Sequence, residues 1–230
     1  MFCQEIRQKI RLPEQTPGRR LYRGIAMKNI ALSLALLAAL CAPASAANVA
    51  RSYTYFSIGG KSLSDIEQQL RSRGPHVQST GQRHPGATRM EFTTKVSYAE
   101  TKGNCRVSKA AVSVKANVFL PKWRNRRTAD RETALIWDTL SRDIKRHEDS
   151  HISIAKRYAR KIEDTVEALP YRSSCSKLQE IAQKETARIL EEHDAAQEKF
   201  DRIESHNFED RLMRLLNYRL DQISKGRLPG

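Results

Sequence analysis

Two histidines four residues apart, His147 and His151, with Glu148 directly after the first, are the sharpest chemical signal in this chain. Residues four apart on an α-helix share a face one turn apart, so both imidazoles can reach one small cation, with Glu148 beside them. Zinc suits such a pair: imidazole nitrogen is an ordinary ligand for it, and a hydrolytic site takes three ligands from protein and keeps a fourth position for water. The metal lowers the pKa of that water, and a carboxylate at the Glu148 position takes its proton as general base and returns it to a leaving amine. The expected activity is peptide-bond hydrolysis, with one Zn2+ ion as cofactor and a protein or peptide as substrate.

The third ligand must come from elsewhere. The extended pattern that adds a Gly and a third His just after the motif is absent, because Ile154 and Arg157 stand at those places. Farther on, His193, Gln197, Phe200, Asp201 and Glu204 recur at helical spacing on a single face. His193 is the expected third ligand. Asp201 is an alternative ligand or a carboxylate that orients an imidazole, with Glu204 and His206 behind it. His76 and His84 lie in a polar stretch with Gly and Pro and read as ordinary surface residues.

The elements that must hold these side chains read as α+β, a small antiparallel sheet followed by a helical region. Ser52 to Ile58 is aromatic and β-branched and ends at Gly59-Gly60, a strand and a turn. Ser62 caps a short amphipathic helix carrying Leu63, Ile66 and Leu70, stopped by Gly74-Pro75. Ser79 to Gly86 reads as a loop. Thr88 to Tyr98 and Cys105 to Leu120 alternate apolar and polar residues and predict a long antiparallel pair, ended by Pro121. From Thr128 to Pro170 the apolar residues fall three and four apart, and both motif histidines continue that stripe, aimed inward. Two further helices are predicted, from Ser176 to about Glu204 and from Phe208 to Leu220.

Before all this stands a different kind of segment. Met27-Lys28-Asn29, an apolar run from Ile30 to Cys41 and the ending Pro43-Ala44-Ser45-Ala46-Ala47 match a secretory signal peptide cut after Ala46, with Met27 as the expected start of translation. The expected organisation is residues 1–46 as upstream extension plus signal peptide, 47–225 as one domain and 226–230 as a tail. Location is then periplasmic or secreted, with no membrane span after cleavage, since the apolar run is too short to cross a bilayer. Cys3 and Cys41 fall in the removed part, which leaves Cys105 and Cys175 to pair in an oxidising compartment.

The formal net charge of +15 becomes +10 once residues 1–46, with seven basic and two acidic residues, are removed. Basic and acidic residues interleave along the helices, as solvated faces do, and only Lys122 to Arg127 is a compact basic run. An exported chain without a groove-reading motif makes nucleic acid the least expected partner. A non-catalytic envelope protein that binds an anionic partner through this run is the competing expectation.

One order of features is shared with a known family. An early Tyr-rich strand, Gly74-Pro75, a Cys105-bearing hairpin ending Leu120-Pro121-Lys122-Trp123, Trp137 ahead of His147-Glu148-x-x-His151, then Cys175, His193 and Phe200-Asp201 resemble bacterial proteins of the domain of unknown function 922 family, over roughly residues 50 to 210. That resemblance implies a secreted zinc-dependent protease with a zincin-like motif helix. Many relatives follow the aromatic-Asp pair with Thr-x-His-Gly, where this chain has Glu204-Ser205-His206-Asn207.

Overall fold

The computed structural model describes residues 48–78 and 80–228, and the extension and signal-peptide segment of residues 1–46 lies outside them. Strand β1 (Asn48–Ile58) leads to helix α1 (Leu63–Arg73), the short pair β2 (His76–Val77) and β3 (Gln82–Arg83), and the long strands β4 (Ala87–Thr101) and β5 (Asn104–Trp123). A 3-10 turn (Arg124–Thr128) connects to α2 (Arg131–Glu167), α3 (Cys175–His206) and α4 (Phe208–Ser224). The fold is α+β.

Local chemistry sets the helix starts. Ser62 and Asp65 form a reciprocal capping box on α1, the Asp130 carboxylate accepts from Thr133 N at 2.8 Å, and Ser174 caps α3. Among the described residues no helix is long and apolar enough to cross a membrane.

The main sheet has the order β1-β5-β4. β4 and β5 are the expected antiparallel hairpin, but β1 runs parallel to β5, so the sheet is mixed rather than antiparallel. Alternation tells which residues share a face; it carries no information on strand direction. Here the chain between Ile58 and Ala87 is long enough to bring β4 in on the far side of β5. The predicted loop from Ser79 to Gly86 contains β3, and β5 runs past Pro121 to Trp123. β4 stops at Ala87 opposite Phe119, so at Pro121 strand β5 has only β1 beside it, an edge position that tolerates a missing N–H.

One face of β5 is buried. Cys105 and Val107 belong to it, a bulge at Ser97/Tyr98 shifts the phase, and Ala110, Val112, Val114, Ala116, Val118 and Leu120 continue it. Helix α2 lies on this face through Ile144, Ile152, Ala155, Ala159, Ile162 and Val166, while α3 adds Leu178, Ala182 and Ile189 to the same core. α2 therefore buries two faces, and the stripe against the sheet passes through Glu148; His147 and His151 sit beside it, toward α3. Two of its acids complete the sheet edge where β1 does not reach: Glu163 Oε1 accepts from Val112 N and Glu167 Oε1 from Ala110 N, both at 2.8 Å.

Cys105 and Cys175 form a disulfide between β5 and the first residue of α3, reinforced by a bridge in which Cys105 N donates to Arg172 O at 2.7 Å. The crosslink spans 70 residues, a loop worth about 4 kcal/mol of unfolded-state entropy. The double variant Cys105→Ser/Cys175→Ser is expected to lose about 2–4 kcal/mol in urea unfolding, with a lower midpoint than the oxidised parent.

Candidate metal centre

α3 crosses α2 so that Gln197, Phe200, Asp201 and Glu204 meet the motif histidines. His147 Nε2 and His151 Nε2 face each other at 3.1 Å, and Asp201 Oδ1 lies 3.2 Å from the first and 3.1 Å from the second. These three side chains are the one group among the described residues that offers three metal-ligand atoms within 4.8 Å of one another. Phe200 packs on both rings, with centroids 4.9 and 5.1 Å away. Burial pushes the Asp201 carboxyl up, but the two imidazoles outweigh it and hold the group well below the usual carboxylate range. Its Oδ1 is buried and has no hydrogen-bond partner among the described residues.

The surrounding hydrogen bonds decide where each ring carries its proton. Gln197 Nε2 lies 3.2 Å from the His151 carbonyl oxygen and 2.8 Å from His193 Nε2; facing a carbonyl, it must be the amide NH2. It donates to both, so Gln197 Oε1 accepts from His151 Nδ1–H at 2.7 Å, and His193 Nδ1–H donates to Asp194 Oδ1 at 2.9 Å. The Nε2 lone pair of a neutral His151 is left pointing at Asp201. Around His147 the arrangement is electrostatic: Nδ1 lies 3.6 Å from Glu204 Oε2, which pairs with Arg146 and, at 3.4 Å, with Arg211. Burial raises the Glu204 carboxyl, and these arginines bring it below its ordinary value. Arg146 and Arg211 also reach buried Asp143, at 2.8 and 3.1 Å, so one network ties α2, α3 and α4 together behind the histidine.

Glu148 stands in the apolar row between Ile144 and Ile152 and is only 4% exposed. Burial raises its pKa, against the lowering effects of the Thr88 hydroxyl and the two histidines. Thr88 donates to Oε2 at 2.7 Å. Oε1 faces Gly86, where an added Cβ would come within 2.7 Å of it. A cleft of about 340 Å³ opens here, lined by His84, Gly86, His147, Glu148, Phe208 and Arg211 among others.

Of the two expected candidates for third ligand, Asp201 stands with the motif histidines and His193 does not. His193 is outside the three-residue group: it is buried between Phe92 and Tyr158, at 4.9 and 5.7 Å between ring centroids, and touches Gln197 rather than the other imidazoles. It lies two helical turns before Asp201, and the crossing of α3 over α2 brings the later turn to the motif. Glu204 backs His147, whereas His206 is exposed at the end of α3. His84 is not an ordinary surface residue: it is half-buried in the cleft, with Nε2 2.7 Å from Thr80 Oγ1, and burial lowers its pKa against the pull of Asp201.

Sequence patterning did not single out Thr88, Gly86, Arg146 or Arg211. Thr88 and Gly86 come from a strand start some 60 residues before Glu148, and no spacing rule connects them. The Pro85-Gly86 pair ahead of a strand reads only as a turn.

An α+β protein with two imidazoles and a carboxylate meeting across two packed helices is the class that this fold and site define. The family model described as bacterial protein of unknown function (DUF922) matches residues 53–207, and the chain belongs to that family. Nothing among the curated proteins or the solved structures matches the chain.

Position 86 tests the packing around Glu148. A methyl there would lie 2.7 Å from Glu148 Oε1 and 2.9 Å from Ile144 Cγ2. Gly86→Ala is expected to destabilise the fold by about 1–3 kcal/mol, read by urea unfolding.

Proposed function

We propose that this protein is an exported zinc-dependent metallopeptidase whose metal is held by His147, His151 and Asp201. The observation that carries the reading is the convergence of three lone-pair-bearing atoms at 3.1–3.2 Å. Of these, the ring of His151 already commits its proton to Gln197, and Asp201 Oδ1 is an orphaned buried acceptor. Three such atoms repel one another unless a proton or a metal ion lies among them. Ligands around a tetrahedral zinc with bonds of about 2.0–2.1 Å stand roughly 3.3–3.4 Å apart, close to the edges found here, so the residues fit the ion.

Zinc bound there would supply Lewis acidity, polarising a scissile carbonyl and acidifying water. The chain's own residues do the rest. Thr88 holds Glu148 Oε2, which leaves Oε1 to take a proton from water and pass it to the leaving amine. The raised pKa of Glu148 brings it nearer to neutrality, where a group can both accept and give up a proton. Gln197 and Glu204 orient the two imidazoles from behind, with His193 fixing the Gln197 amide. His84, Phe208 and Arg211 border the space open to a substrate. The motif helix is zincin-like in this reading, and the signal-peptide pattern supports a location in the periplasm or outside the cell.

Purified protein is expected to carry one zinc per chain by elemental analysis. Asp201→Ala loses it, whereas His193→Ala keeps it with affinity weakened about 10–100-fold. Equal zinc in parent and Asp201→Ala rejects the ligand assignment. Glu148→Gln keeps the metal and slows hydrolysis of fluorescein-labelled casein by about 10²–10⁴-fold. Unchanged hydrolysis in that variant rejects the general-base role, and absence of hydrolysis by the zinc-loaded parent favours a non-catalytic envelope protein.

A further inference from the structure

A second cleft lies away from the one at Glu148. About 640 Å³ open between the first turns of α2 and the end of α4, within the usual range for small-molecule sites. Its walls carry four arginines against two carboxylates, with an apolar floor that includes Leu135, Ile223 and Leu228. The basic run Lys122 to Arg127 contributes Arg126 to it.

The charges are not mutually satisfied. Arg126 Nε and Nη2 donate to the two oxygens of Asp138, each at 2.7 Å, a bidentate pair that uses the only aspartate in the cleft. Arg219, from α4, reaches the same carboxylate only at 4.0 Å. Its Nε and Nη1 are buried and have no hydrogen-bond partner among the described residues, although its side chain is just 14% exposed. Burial, together with neighbouring Arg142 and Arg126, disfavours the charged form. A buried guanidinium cannot shed its proton as a lysine can, so it calls for an anion.

We propose that this cleft is a binding site for a small amphiphilic anion, a carboxylate or phosphate monoester on an unbranched alkyl chain. The headgroup pairs with Arg219 and Arg142, and the chain lies along the apolar floor. Asp138 and His147 are nine residues apart on α2, about 13 Å along the helix axis, so the site is separate from the proposed metal centre. It does not depend on the peptidase reading.

Isothermal titration of the purified protein with its bound metal, in buffer without added divalent ions, with decanoate, decyl phosphate and the neutral decanol tests this. At least one anion is expected to bind tenfold or more tightly than decanol, and the tighter of the two names the headgroup. Arg219→Gln should weaken that anion at least tenfold. Arg142 is exposed, so Arg142→Gln leaves folding undisturbed and should weaken it about threefold. No binding of either anion, decanol binding equally well, or full affinity in Arg142→Gln or in folded Arg219→Gln would overturn the proposal. The readout is heat of binding, so its failure leaves the metallopeptidase standing, and loss of casein cleavage leaves this site untouched.

Discussion

The mutual approach of His147 Nε2, His151 Nε2 and Asp201 Oδ1 is the constraint on which the rest of this structure turns. Acceptor atoms do not gather at van der Waals distance without reason, and each is pressed into place from behind. Gln197 Oε1 accepts a hydrogen bond from His151 Nδ1–H, Glu204 backs His147, and Arg146 and Arg211 hold Glu204 while bonding Asp143. The supports come from three helices, so the positions of α3 and α4 over α2 are set by the same contacts that shape the site.

Glu148 poses the opposite problem. A carboxylate in an apolar row between Ile144 and Ile152 costs free energy unless its oxygens are served, and Thr88 serves one of them. Gly86 leaves room for the other. Both come from the start of β4, so the edge of the sheet and the motif helix are adjusted to one group. The disulfide from β5 to the start of α3 and the carboxylates of Glu163 and Glu167 on the open edge of β5 anchor the far end of the same layers.

The two arginine clusters differ in a way that bears on function. Around Asp143 and Glu204, two arginines meet a buried and a half-buried acid and the charges close. Around Asp138, Arg126 consumes the carboxylate and Arg219 is left over. A closed network stiffens a fold; a surplus buried cation at a cleft is what an anion recognises.

Much of this was legible along the chain because it is local. The His147-Glu148-x-x-His151 spacing needs only a helix, and the cap at Ser62, the alternation of β4 and β5 and the three long helices follow from neighbours in sequence. The Cys105–Cys175 pair was readable by elimination. The face carrying His193, Gln197, Asp201 and Glu204 was visible too, but periodicity places four residues on one face without saying which turn meets a partner helix. That choice belongs to the crossing of α3 over α2, which brings Asp201 to the histidines and sends His193 in between Phe92 and Tyr158. Strand direction in β1, the neighbours of Glu148 and the unmatched charge of Arg219 are likewise decided only by tertiary packing. Each depends on segments far apart in sequence coming within a few ångströms, and such distances are set by the sum of all burial, not by any one pattern of residues.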